Sequence, residues 1–199
     1  MTARPFQGLG FLSAGHSNLA YADLSALLRG AGATAVADVR SLPRSARMPW
    51  FDAAALAPAL RGDGIAYAFL GTELGGRPAR RGLYRDGQAD YAAMAREATF
   101  AAGLDRLRRG ANRHRIALLC SEGDPLSCHR CLLVGRALRE GGAGVDHLRH
   151  GAEPLGQEAV EETLLARAGG AGDDLFAPRP ERLDAAYRMR ASRIAFAGP

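Results

Sequence analysis

Five short, unbroken apolar runs, separated by stretches with helical spacing, constrain this chain more than any other feature. They fall at about Leu9–Ala14, Thr34–Val39, Ile65–Leu70, Arg115–Leu119 and Val145–Leu148. Between the first two, Leu19, Leu24, Leu27 and Leu28 recur at helical spacing, and Gly30 and Gly32 stop the helix. By the same signals, helices are expected at about Leu19–Arg29, Asp52–Arg61, Ala89–Arg109 and Cys128–Arg139. A strand that is apolar along its whole length needs cover on both faces. Strict alternation of strand and helix supplies that cover through right-handed crossovers. The pattern therefore predicts an α/β fold, a Rossmann-like three-layer sandwich of about five mostly parallel strands with helices on both faces.

Beyond Arg149 the pattern weakens. A helix fits Glu153–Ala168, residues 169–174 read as a linker, and Arg182–Phe196 can form a last amphipathic helix. The expected organisation is one α/β domain over residues 1–168, with a linker and helical appendage packed on it over 169–199. No apolar run approaches the ~20 residues of a membrane-spanning helix, so no membrane partner is expected. The first residues hold no long apolar stretch of the kind a secretory signal needs. The three cysteines, Cys120, Cys128 and Cys131, cluster instead of spreading into a disulfide framework. Together these features point to a cytoplasmic protein.

The polar residues are placed with more order than solubility requires. The first strand ends in Ser13 and His16, the second in Asp38 and Arg40, the third in Thr72 and Glu73, the fourth in Cys120, Ser121 and Glu122. In a parallel sheet these C-terminal ends share one edge, the edge where open α/β folds bind ligands. One site is therefore expected there.

The segment from Cys120 to Cys131 is the richest. Cys128 falls near a helix start, where free N–H groups and the helix dipole favour a thiolate or a phosphate. His129 and Arg130 add to that effect. Cys120 ends a buried strand, where a small packed thiol is equally ordinary. Cys128 and Cys131 form a C-x-x-C, the spacing of dithiol oxidoreductases, but without their usual flanking Trp and Pro. Cys120, Cys128, His129 and His16 offer soft zinc ligands, although the spacing fits no standard zinc pattern, so no metal is assigned. A Cys-x5-Arg phosphatase or rhodanese loop is absent, because Leu126 stands where its arginine belongs.

Two loops complete the candidate site. Asp38, Arg40, Arg44 and Arg47 follow the second strand; a buried Asp38 could orient groups while the arginines clamp an anion. Glu73-Leu74-Gly75-Gly76-Arg77 follows the third, and its paired glycines permit close backbone approach to a ligand. The formal charge is +5, and all 26 basic residues are arginine. Arginine's planar fork suits phosphate, although a GC-rich coding sequence gives the same composition. Trp50 could stack on a base or simply sit at the edge of the core.

Gly15-His16-Ser17, Asp38-Val39-Arg40-Ser41, Pro43-Arg44-Ser45, Glu73-Leu74-Gly75-Gly76 and Cys120-Ser-Glu122…Pro125…Cys128-His129-Arg130 occur in an order that resembles the bacterial family catalogued as domain of unknown function 488. The resemblance spans about residues 9–150. It implies the fold and the site but no established reaction. Carried over by position, its pattern covers His16, Asp38, Arg40, Pro43, Glu73, Gly75, Gly76, Cys120, Glu122, Cys128, His129 and Arg130, and leaves out Cys131.

The functional expectation is an enzyme acting on a phosphate-bearing substrate, a nucleotide or nucleic acid. Cys120, Glu122, Cys128, His129, Asp38, Glu73 and His16 are the catalytic candidates. Arg40, Arg44, Arg130, Gly75 and Gly76 are the substrate-binding candidates. The alternatives are a binding module without turnover and a thiol-redox or zinc protein. The sequence implies no particular cofactor and leaves the oligomeric state open.

Overall fold

The computed structural model describes residues 5–169 and 176–198. In chain order the elements are β1 (Gly10–Gly15), α1 (Tyr21–Gly30), β2 (Ala35–Asp38), α2 (Ala53–Gly62), β3 (Ala66–Phe69) and a single turn, α3 (Gly71–Leu74). A small hairpin follows, β4 (Tyr84–Arg85) and β5 (Gln88–Ala89), then α4 (Tyr91–Met94), α5 (Ala98–Ala111) and β6 (Ile116–Cys120). A π-helical stretch, Arg130–Gly135, runs directly into α6 (Arg136–Glu140). The chain ends with β7 (Gly144–Arg149), β8 (Ala152–Gly156), α7 (Gln157–Arg167) and α8 (Arg179–Ile194).

The central sheet has six strands in the order β3-β2-β6-β1-β7-β8. All pairings among the first five are parallel; β8 pairs antiparallel to β7 at the edge. The five predicted apolar runs are these five parallel strands. Successive side chains of β6 go to opposite faces: Ile116, Leu118 and Cys120 to one, Ala117 and Leu119 to the other. The Ala117 face is covered by α1 and α2 through Leu24, Leu28, Leu56 and Leu60, each fully buried. Burial of each such leucine is worth about 1.5–3 kcal/mol. The Cys120 face is covered by α5, the π-helical stretch and α6, and by α7 and α8, through Phe100, Leu107, Leu132, Leu138, Val160 and Tyr187. Layers of helix, sheet and helix make the expected α/β sandwich.

Three local expectations are corrected. The helix expected from Ala89 begins later, because Asp86 and Gly87 both take positive φ (50° and 77°) and turn the chain into the β4–β5 hairpin. Asp90 then caps α4 by accepting from the Ala93 N–H. The helix expected from Glu153 begins at Gln157, since Gly151 (φ 70°) makes a turn that sends residues 152–156 back along β7. Pro154 fits there because β8 is an edge strand. The last helix starts at Arg179, three residues before the expected Arg182. Of the linker expected over 169–174, all but Gly169 lies outside the described residues. Among the described residues no helix is long and apolar enough to cross a membrane.

Strand order decides which loop ends meet. β6 lies between β2 and β1, with Cys120 in register with Gly15 and Leu119 with Asp38. The ends of β1, β2 and β6 are therefore neighbours. β3 lies at the far edge, two places from β6.

Candidate functional site

Cys120 is the last residue of β6, and the chain must turn back for Cys128 to reach it. Asp124 organises that turn by accepting from the Leu126 N–H (3.0 Å), closing one 3₁₀ turn, Pro125–Ser127. Gly15 leaves room for the loop: a Cβ there would lie 1.7 Å from the Glu122 carbonyl oxygen. The His16 and Ser17 N–H groups donate to the Cys120 and Ser121 carbonyls, tying the loop to the end of β1.

Arg130 holds the same loop from below. It has no exposed surface, and its guanidinium donates to the carbonyls of Glu122 (2.5 Å) and Gly123 (3.0 Å) and to Ser13 Oγ (3.3 Å). Its five donors are therefore largely occupied inside the fold. The structure makes it a clamp for the loop, in place of the substrate contact expected from the sequence.

Cys128 takes the N-cap position of the helix that follows. Its carbonyl accepts from Leu132 N (3.1 Å), and its Sγ lies 3.4 Å from Arg130 N. Glu122 Oε2 lies 3.0 Å from both Cys120 Sγ and Cys128 Sγ. His129 Nδ1 lies 3.7 Å from Cys120 Sγ and 3.9 Å from Cys128 Sγ. On its other side His129 Nε2 donates to the Val39 carbonyl (2.9 Å), just past β2. The ring is seated against Gly76, where a Cβ would come within 2.7–2.9 Å of it. Two thiols, an imidazole and a carboxyl thus converge from the end of β6, the loop after it and the start of one helix, with the Val39 carbonyl past β2 anchoring the imidazole.

Their protonation follows from this packing. Burial opposes charge on Cys128, yet the hydrogen bond from Cys120 and the positive charges of Arg130 and His129 hold it well below the usual thiol range. Its hydrogen bond to Cys128, reinforced by burial and the charges of Cys128 and Glu122, holds Cys120 well above that range. The packing thus pushes the two thiols apart, Cys128 down and Cys120 up. Burial also acts to lower His129, but the Cys128 sulfur outweighs it and raises the imidazole. Glu122 is exposed as a residue with its carboxyl turned in to the sulfurs; burial, then the Cys128 charge, pushes it up. A raised carboxyl beside a depressed thiolate is an acid–base pair set by environment.

This cluster forms the floor of a 320 Å³ pocket, a volume in the range of small-molecule sites. Arg40, Arg44 and Arg77 line its walls. Arg40 is held by Asp38 in a two-pronged pair (Nε–Oδ1 2.9 Å, Nη2–Oδ2 2.6 Å), itself supported by the Tyr67 hydroxyl. Its free edge, Nη1, points to His16 Nε2 at 3.4 Å. Arg44 and Arg77 are exposed and make no ion pair among the described residues. Arg77 lies over the Phe196 ring at 4.6 Å.

The remaining sequence candidates sort by the same geometry. His16 stacks on Phe51 at 4.3 Å; burial, then the Arg40 charge, lowers it, and it stands apart from the thiols. Glu73 is carried away with β3 and pairs with Arg106 on α5, outside the pocket. Gly75 makes its close approach to Ser41 and the Gly71 carbonyl, and Gly76 to His129, so both glycines accommodate the protein itself. Cys131 turns away toward Gln157, and burial pushes its thiol up to about 12. Trp50 donates to the Leu19 carbonyl outside the pocket. Tyr91 and Ser127, and the tail residues Ile194 and Phe196, are pocket walls that the sequence did not single out. Arg77 was signalled by its place after Gly75-Gly76; the tail residues carried no local signal.

Fold and site together define an α/β protein with a buried cysteine–histidine–carboxyl cluster under an arginine-lined pocket at the C-terminal edge of its sheet. The family model described as domain of unknown function DUF488 matches residues 21–137, more than half of the chain, and the chain belongs to that family. No curated protein and no solved structure matches it.

Proposed function

We propose that this protein is a cytoplasmic enzyme acting on a phosphate-bearing substrate, a nucleotide or nucleic-acid end, in the pocket over Cys120 and Cys128. One observation carries the proposal: unpaired arginines on the walls meet a perturbed thiol–carboxyl pair on the floor. Arg44 and Arg77 would hold the anion, with Arg40 fixed by Asp38 as a rigid third donor. Glu122, its carboxyl pushed up by burial and set 3.0 Å from Cys128 Sγ, faces the pocket, so it is the candidate general acid. The pocket's size favours a nucleotide over a long polymer.

The test is turnover of a nucleotide and sugar-phosphate panel by the wild-type chain and by Glu122→Gln and Cys128→Ser. The proposal expects one substrate to be turned over, and both variants to lose most of that rate while still binding it. Saturable binding with no product over long incubation overturns the enzyme reading in favour of a binding module.

A further inference from the structure

The geometry points to a divalent metal site of the zinc class at Cys120, Cys128 and His129, with its fourth position open to the pocket. The inference rests on the active-site reading above and gives the thiol cluster its role.

Among the described residues, Cys120, Cys128 and His129 are a group whose ligand atoms all lie within 4.8 Å of one another. Zinc binds sulfur at about 2.3 Å and imidazole nitrogen at about 2.0–2.1 Å, so tetrahedral S···N edges are about 3.5–3.6 Å. The two S···N separations here are 3.7 and 3.9 Å. On these two edges an ion needs movements of only a few tenths of an ångström.

The surroundings are those of a metal ligand set. The His129 Nε2–H is committed to the Val39 carbonyl, which aims Nδ1 at the two sulfurs, so a metal ion arriving there displaces only the Nδ1 proton. Metal-bound histidines are oriented by this kind of outer hydrogen bond. Gly76 lets the ring sit where it does. The Arg130 N–H and guanidinium lie beside the Cys128 sulfur and balance the negative charge of a two-thiolate site. All three ligands are buried.

Glu122 stands outside the group of three, touching both sulfurs on the pocket side. Three protein ligands with an open fourth position are the mark of a catalytic rather than a structural zinc site. The open position suits a water or a substrate oxygen, with the wall arginines to receive the rest of an anionic substrate. His16, the fourth soft ligand suggested by the sequence, is engaged with Arg40 and the Ser17 carbonyl.

The test uses the full chain, reduced with a phosphine and purified without chelator. Metal content is measured, followed by titration of the metal-free protein with zinc or cobalt alone. About one metal per chain is expected, with the intense visible bands of tetrahedral cobalt and thiolate charge transfer. Cys120→Ser, Cys128→Ser and His129→Ala should each weaken zinc binding at least a hundredfold. Serine is a good N-cap residue, so Cys128→Ser keeps the helix start. Cys131→Ala should bind like the wild type. A folded, reduced wild type that binds neither ion overturns the inference, as does equal binding by Cys120→Ser/Cys128→Ser. Recovery of a Cys120–Cys128 disulfide, with no metal affinity after reduction, overturns it in favour of a dithiol. Nucleotide binding by the wild type and Arg44→Ala reads the pocket separately, so loss of the metal site and loss of the substrate reading give different results.

Discussion

A buried chain of hydrogen bonds runs under the site from Arg130 to α8, and its central histidine yields a quantitative prediction. Arg130 Nε donates to Ser13 Oγ (3.3 Å); the Ser13 hydroxyl is 2.6 Å from His147 Nδ1. His147 Nε2 is 2.7 Å from Gln157 Oε1, and the Gln157 amide donates to the Tyr187 hydroxyl (2.8 Å), which donates to Glu161 (3.3 Å). The directions are consistent for neutral His147 protonated on Nε2. Burial, aided by the Arg130 charge, depresses His147 from 6.5 to about 4. Because the unfolded chain takes up this proton at higher pH than the folded one, acid favours unfolding. The contribution is fully present above about pH 6.5, falls as pH drops, and levels off below about pH 4. The full gap corresponds to about 3 kcal/mol, and about 2 kcal/mol of it is lost by pH 5. Urea denaturation at about pH 7 and about pH 5 should show this loss. His147→Gln keeps an acceptor and a donor but cannot titrate, so its loss over the same interval should be smaller by about 2 kcal/mol, whatever its stability at pH 7. Equal losses in the two proteins would refute the assignment of His147 as neutral and buried.

Two further substitutions test the geometry. Asp38→Asn leaves the Arg40 guanidinium buried without its counter-charge, and should cost about 3–5 kcal/mol in urea denaturation; a loss under 1 kcal/mol would show that the pair is not closed to water. Gly76→Ala pushes the His129 ring from its seat, and should cost about 1–3 kcal/mol together with most of the turnover; unchanged activity would mean that His129 has no fixed position.

The sequence was most informative where one rule acts alone. Runs such as Ile116–Cys120, buried at every residue, announce a strand covered on both faces. The polar residues at strand ends mark the functional edge for the same reason. Strand order was not readable, and it decided the site: β6 sits between β1 and β2, so Cys120, His129 and Asp38 gather while Glu73 leaves with β3. Arg130 illustrates a second limit. Its charge suggested an anion, but its burial committed it to the carbonyls of Glu122 and Gly123. The hairpin at Asp86-Gly87 is signalled by its turn residues, and it delays the helix expected from Ala89. The tail's part in the pocket was beyond local reasoning, because Phe196 meets Arg77 only through tertiary packing.

The central claim is that the arginine-lined pocket over Cys128 takes an anionic substrate. Thermal unfolding with and without nucleotides, sugar phosphates and inorganic phosphate tests it most directly, on the wild type and on Arg44→Ala/Arg77→Ala. Both arginines are exposed and make no ion pair among the described residues, so the double variant should fold normally, losing the Arg77 stack on Phe196. A ligand at a hundredfold its Kd adds about 2.7 kcal/mol, or about 5–10 °C for a chain of this size. The account predicts such a rise for at least one phosphate-bearing ligand and its loss in the double variant. No rise with any of them at millimolar concentration, or an equal rise in the double variant, would contradict it.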